Sequence, residues 1–145
     1  MMITVRQLLR DKPDDVWTIE PQDSVYMALE VMADKNLGAL VVVEEGKVVG
    51  MFSERDYARK VILKGRSSKS TSVRELMDSK VCYISPEQTM KECMALFTDK
   101  RIRHLPVLDE GQLIGLVSIG DVVKRIVTEQ EFTIKQLENY ITGSF

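Results

Sequence analysis

The chain has 145 residues, 44% hydrophobic and 29% charged, the make-up of an ordinary globular protein with one respectable core. Twenty basic residues against 22 acidic ones give a formal charge of −2, so no net positive field draws the molecule to nucleic acid. No apolar run reaches the roughly 18 residues that cross a bilayer, and "MMITVRQLL" lacks the basic start of a secretory signal, so a cytoplasmic protein is expected.

In chain order, "VRQLL" at Val5 comes first, then a short strand, Trp17-Thr18-Ile19, closed by Pro21. A helix begins at Ser24. Its apolar positions Val25, Ala28, Leu29 and Met32 follow the i, i+3, i+4, i+7 rule of one buried face. The apolar strand "ALVVV", the turn "EEGK" and the return strand "VVGMFS" make a hairpin, with glycine where a positive φ is expected. A second helix follows in "RDYARKVIL". The polar, serine-rich "KGRSSKSTS" reads as a solvated linker.

After the linker the pattern starts again. "VRELM" at Val73 echoes "VRQLL" with a shift of 68, and Val16 to Leu63 then lies on Val81 to Thr128 with a shift of 65 and no gap. Cys82-Tyr83-Ile84 takes the place of the first strand, and a helix begins at Thr89 with Met90, Cys93, Met94 and Phe97 on its apolar side. "HLPVL", "DEGQ" and "LIGLVS" repeat the hairpin, and "GDVVKRIVT" repeats the second helix. The tail "EQEFTIKQLENYITGSF" carries Phe132, Ile134, Leu137 and Ile141 at looser helical spacing and continues the last helix or docks elsewhere. Each unit is β-α-β-β-α, giving an α/β protein of two repeats packed as a pseudo-twofold pair: residues 5–65, a linker 66–72, residues 73–130 and a helical tail 131–145. Cys82 and Cys93 are not in a C-x-x-C arrangement, and the reading is two buried, reduced thiols.

The densest correspondence is a Gly-x-x-Ser-x-x-Asp step, Gly50 to Asp56 and Gly115 to Asp121. Ser-x-x-Asp by itself fits a capping box, in which serine and acid satisfy each other's backbone N–H at a helix start. In this setting it also resembles something more specific. "GALVVVEEGKVVGMFSERD" and "RHLPVLDEGQLIGLVSIGD", in a duplicated β-α-β-β-α unit, resemble the cystathionine β-synthase (CBS) domain, whose tandem pair is called a Bateman module. The resemblance covers Val5 to about Thr128. With no channel, kinase or dehydrogenase segment beside it, the chain looks like the small stand-alone CBS-pair proteins.

The resemblance implies a regulatory module that binds an adenosine-containing ligand between the two copies, and pairs that associate into dimers. AMP is the leading expectation, with ADP, ATP and NAD(H) as alternatives; the basic residues weigh for a phosphate and against S-adenosylmethionine. Asp121 would take the ribose diol, with Ser118, Ile119 and Gly120 at the helix start donating to ribose or phosphate. Arg103 and His104 would face the phosphates. Val16 and Trp17, with Leu37 and Gly38 behind, would hold the base. The second site would use Asp56, Ser53 and Arg55, with Val81, Cys82 and Ile102 at the base. The copies differ here: Gly38 and Ala39 stand where Arg103 and His104 do.

No catalytic set is legible. The spacing around Ser118 is wrong for a nucleophile elbow, and neither a P-loop nor a G-x-G-x-x-G is present. One histidine builds no H-E-x-x-H site. No catalytic cofactor, metal, nucleic acid or membrane partner is expected, and the regulated protein partner is not identifiable. The other reading is a dimerisation or interaction scaffold that binds no ligand.

Overall fold

The structure is a computed structural model, and it describes residues 2–12 and 15–143. The fold is mixed α/β with two small sheets. In chain order it runs α1 (Val5–Asp11), β1 (Thr18–Ile19), α2 (Val25–Lys35), β2 (Ala39–Glu44), β3 (Lys47–Ser53) and α3 (Glu54–Tyr57). A π-helical turn, Ala58–Ile62, extends α3. Then come α4 (Val73–Leu76), α5 (Met90–Lys100), β4 (His104–Asp109), β5 (Gln112–Ser118) and α6 (Ile119–Thr142).

The duplication is written in the backbone. Asn36 and Arg101 end α2 and α5 in the left-handed conformation at φ 56° and 53°. Glu45-Gly46 and Glu110-Gly111 both have positive φ, 50° and 77° in one hairpin, 51° and 81° in the other. Two successive positive-φ residues match the right-handed twist of the flanking strands, and glycine takes the second position without steric cost. Ser24 and Thr89 cap α2 and α5, accepting from the N–H of Met27 and Glu92.

The chain divides into two compact units that do not follow the repeats. One comprises Asp15–Tyr83 and Pro106–Leu116. The other takes the described parts of residues 1–14, Ile84–Leu105 and residues 117–145. Part of the cause is an exchange of leading segments. Thr4, ahead of the first copy, bridges Thr89 ahead of α5, and Met90 N–H donates to Ile3 C=O at 3.0 Å. Ser72, ahead of the second copy, bridges Ser24 ahead of α2. Val25 and Tyr26 N–H donate to Thr71 and Ser68 C=O, both at 2.9 Å. Each leading segment therefore satisfies the open N–H groups of the helix in the other copy. The serine-rich stretch read as a solvated linker is partly structural, since Thr71 is buried and its hydroxyl donates to Ser67 C=O at 2.7 Å.

In the first of these units, β1-β2-β3 form one sheet, β1 parallel to β2 and β2 antiparallel to β3. Ile19, Val25, Ala28, Met32, Leu40, Val42, Phe52, Val61, Val73 and Leu76 make its core. Gly50 is required by a close approach: a Cβ there would lie 2.7 Å from Met77 Sδ and 3.0 Å from Asp78 O. In the second unit Val5, Leu8, Ile84, Met90, Cys93, Phe97, Leu105, Val117 and Val122 are buried.

The expected strand at Cys82-Tyr83-Ile84 does not form; only an isolated bridge remains at Ile84. Proline explains the loss. Glu54 N–H donates to Gly38 C=O at 3.1 Å, so Leu40 faces β3 and Val41 turns its N–H toward β1, pairing with Thr18. Ile119 N–H donates to Arg103 C=O at 2.9 Å at the matching place, so Pro106 stands where Val41 stands. Proline has no N–H to donate on that edge. Cys82 is accordingly half-buried in a loop, while Cys93 is fully buried, and both are free thiols.

Candidate functional site

Each Ser-x-x-Asp step closes a strand and opens a helix. At β5–α6, Asp121 N–H donates to Ser118 Oγ at 3.1 Å and Ser118 N–H donates to Asp121 Oδ2 at 2.9 Å. At β3–α3 the same two bonds join Ser53 and Asp56 at 3.2 and 3.0 Å. Both are complete capping boxes. The box fixes each carboxylate over the first turn, half-buried, where the helix dipole favours its charge.

What surrounds the carboxylates differs. Lys12, from just beyond α1, reaches Asp121 Oδ2 at 2.7 Å. Arg103 and His104 lead into β4, and the Ile119–Arg103 backbone bond ties them to the start of α6. Burial pushes the Asp121 carboxyl up, but the Lys12 hydrogen bond, the two Ser118 bonds and the Lys12 charge outweigh it and hold the group below its ordinary range. Burial pushes His104 down; Asp121 opposes this, while Lys12 and Arg103 add to it. At pH 7 the cluster is thus an ionised carboxylate, a neutral imidazole and two cations.

At Asp56 the cation is local. Lys60, one turn along, sits 3.2 Å from Asp56 Oδ1 and also donates to Leu76 C=O at 3.0 Å. Arg55 is exposed, with Gly38 half-buried and Ala39 buried where the other copy has Arg103 and His104.

The structure thus groups Lys12, Arg103, His104, Ser118, Ile119, Gly120 and Asp121 in one unit, and Ser53, Arg55, Asp56, Lys60, Trp17, Leu37 and Gly38 in the other. Val16 is half-buried ahead of β1. Trp17 is exposed on one side, and the Lys35 ammonium lies 4.3 Å from its ring centre. Leu37 packs on the core of its own unit. Val81, Cys82 and Ile102 are half-buried in loops.

Nothing in the sequence beside Asp121 points to Lys12, 109 residues away. The only hint is the change of shift from 68 to 65 between the leading segment and the rest, which marks that segment as a separate piece. Among the described residues, no helix is long and apolar enough to cross a membrane.

The comparisons agree with this architecture. The family model described as "CBS domain" matches residues 2–63 and again 73–128. The chain is 45% identical over 128 residues to the CBS domain-containing protein CBSX3, mitochondrial, of Arabidopsis thaliana, covering 85% of this chain but only 62% of that protein's length. It is 30% identical over 129 residues to CBS domain-containing protein YhcV of Bacillus subtilis, covering 89% of this chain and 84% of the relative. A structure of a protein with CBS domains from Burkholderia ambifaria MC40-6 superposes with a TM-score of 0.84 at 51% identity, covering 88% of this chain and 96% of that one. With two matched copies, two capping boxes at the same places and the same overall architecture, this chain belongs to the CBS-domain family as a tandem pair.

Proposed function

We propose that this tandem pair is a regulatory sensor of an adenine nucleotide, acting without catalysis and passing the signal to a protein partner or to its own assembly. The observation that carries this reading is the Asp121 cluster. Its carboxylate stays ionised, both of its capping and lysine bonds go to Oδ2, and Oδ1 takes no part in either. An ionised carboxylate at a helix start suits a ribose diol, and Arg103, His104 and the Gly120 N–H at the start of α6 suit phosphate oxygens. AMP is the expected ligand, with ADP, ATP and NAD(H) as alternatives. Asp56 offers the ribose half of such a site without the histidine. Homodimerisation and a cytoplasmic place of action belong to the same reading; fractionation checks the latter, the Arabidopsis relative being a mitochondrial protein.

The test is a thermal-shift panel on nucleotide-free protein with adenosine, AMP, ADP, ATP, NAD, NADH and S-adenosylmethionine, followed by calorimetry. A ligand at about 100 times its Kd stabilises by about 2.7 kcal/mol, an unmistakable shift. Adenosine binding as tightly as AMP would remove Arg103 and His104 from the phosphate role. No shift with any ligand would leave the pair as an interaction scaffold.

A further inference from the structure

Along α6 runs a row of apolar side chains that the unit does not cover. Val123, Val127, Ile134, Leu137 and Ile141 are 42%, 45%, 56%, 58% and 81% exposed. The helix is anchored from another side near its start, where Val122 is buried and Arg125 pairs with Asp11. From Gln130 to Thr142 only Asn139 is not exposed.

With Gln130 the row reads 123, 127, 130, 134, 137, 141, in steps of four and three throughout. A helix packed on a globular core carries a broader stripe; strict alternation of four and three is the narrow seam of a coiled coil. Val127, Ile134 and Ile141 fall on the a positions, and Val123, Gln130 and Leu137 on the d positions. β-branched residues at a with leucine at d select two parallel strands. We propose that this row is the seam of a parallel, in-register coiled coil between two copies of this chain. The inference deepens the homodimerisation named above and does not depend on a nucleotide being bound.

Polar residues choose the partner and the direction. In register and parallel, Gln130 meets Gln130 of the second copy, and two side-chain amides can bond each other. With the two seams fully overlapped and antiparallel, Gln130 would instead bury its amide against Ile134. Glu131 and Glu138 occupy e positions, facing Ile126 and Thr133 of a parallel partner, so no like charges meet. The antiparallel arrangement sets Glu131 against Glu131 at its centre and brings Lys124 toward Glu138 at its ends, so the direction is decided by the buried Gln130. A membrane surface is the poorer occupant, because Glu129, Glu131 and Glu138 outnumber Lys124 and Lys135 beside the row, and anionic lipid favours the reverse. The seam is short, about 27 Å. Its helix is already nucleated by the folded unit, which removes the usual penalty of a short coiled coil.

Sedimentation equilibrium of the full chain tests the proposal. The wild type is expected to dimerise, and Ile134→Lys and Leu137→Lys each to raise the dimer Kd at least about tenfold. Both positions are exposed in the single chain, so circular dichroism and thermal unfolding of the monomer should be unchanged. Phe132→Ser, on the far side of the helix, should leave Kd within about twofold, and Gln130→Leu should tighten the dimer. Ile141→Cys should give a disulfide-linked dimer in air while the parent chain, with Cys82 and Cys93 only, gives none. A monomer at about 100 µM, where a pair with a Kd of about 1 µM is almost wholly dimeric, would overturn the proposal. So would a dimer indifferent to both lysine substitutions. An intact dimer that never links through position 141 would overturn the parallel register.

Discussion

Asp56 and Asp121 sit in the same capping box, 65 residues apart, and each keeps a lysine, but the lysines have different origins. One turn along from Asp56 is Lys60, which turns back to it. One turn along from Asp121 is Arg125, which turns away to Asp11 and leaves the carboxylate to Lys12. The exchange of leading segments makes this possible, because it brings Asp11 and Lys12 to the second copy. The position matching Asp11 under the leading segment's shift of 68 is Ser79, which has no charge to divert Lys60. A duplicated backbone has thus acquired two electrostatic settings. One is a local helix pair. The other is tied across the fold and backed by His104 and Arg103.

The sharpest way to break this comparison is to remove the two carboxylates in turn and measure nucleotide binding by calorimetry. On the proposed reading Asp121→Ala removes two charge-assisted hydrogen bonds to a ribose, and Kd should weaken about 100-fold. Asp56→Ala should change the same site by no more than about threefold, as expected of separated positions. Equal losses would mean that the surroundings do not distinguish the sites.

Next in size is a pH dependence that only the second copy has. The folded protein holds His104 neutral below its ordinary pKa, chiefly through burial, with Asp121 opposing and Lys12 and Arg103 assisting. Between the folded value and the unfolded value of about 6.5, the unfolded chain binds the extra proton, so stability rises with pH there. This contribution is complete above about pH 6.5 and is lost as pH falls through the folded pKa, with a limiting slope of about 1.4 kcal/mol per pH unit. Urea unfolding between pH 7 and 5 checks it. His104→Gln should flatten that slope, whereas a wild type with no slope would show that His104 titrates alike in both states.

Much of the fold was legible because its signals are local and occur twice. The apolar faces of α2 and α5, the glycine turns and the two capping serines follow from periodicity and turn chemistry at positions that confirm one another. The Ser-x-x-Asp step was legible as a cap for the same reason. Sequence periodicity is blind to where a segment docks. Thr4, Lys12, Ser68 and Thr71 act on residues far along the chain, so Lys12 stayed hidden and the serine-rich stretch looked merely solvated. The missing second copy of β1 was readable in principle. Pro106 lies in an apolar run that favours strand, and only the facing of alternate N–H groups shows that it silences the edge where Cys82-Tyr83-Ile84 would pair.

The smallest effects come from the lysines themselves, and they separate the two settings most directly. Lys12→Met removes the hydrogen bond and charge that hold the Asp121 carboxyl low, leaving burial to push against the Ser118 bonds alone. A depressed carboxyl stabilises the fold above its unfolded pKa of about 3.9, and that contribution is lost as pH falls through the folded value. In Lys12→Met part of it is missing already at pH 7, about 1 kcal/mol for a partly exposed pair, and acid unfolding begins at a higher pH. Lys60→Met gives up an i,i+4 pair at a helix surface, about 0.3–0.5 kcal/mol, with a further contribution from its bond to Leu76 C=O. Urea titrations at pH 7 and pH 4 resolve the two. The acid limb is the decisive part, because the Lys12 variant should move it. A shift in both would mean that Asp56 depends on Lys60 as closely as Asp121 depends on Lys12, and that the exchanged segment gives the second copy nothing the first copy lacks.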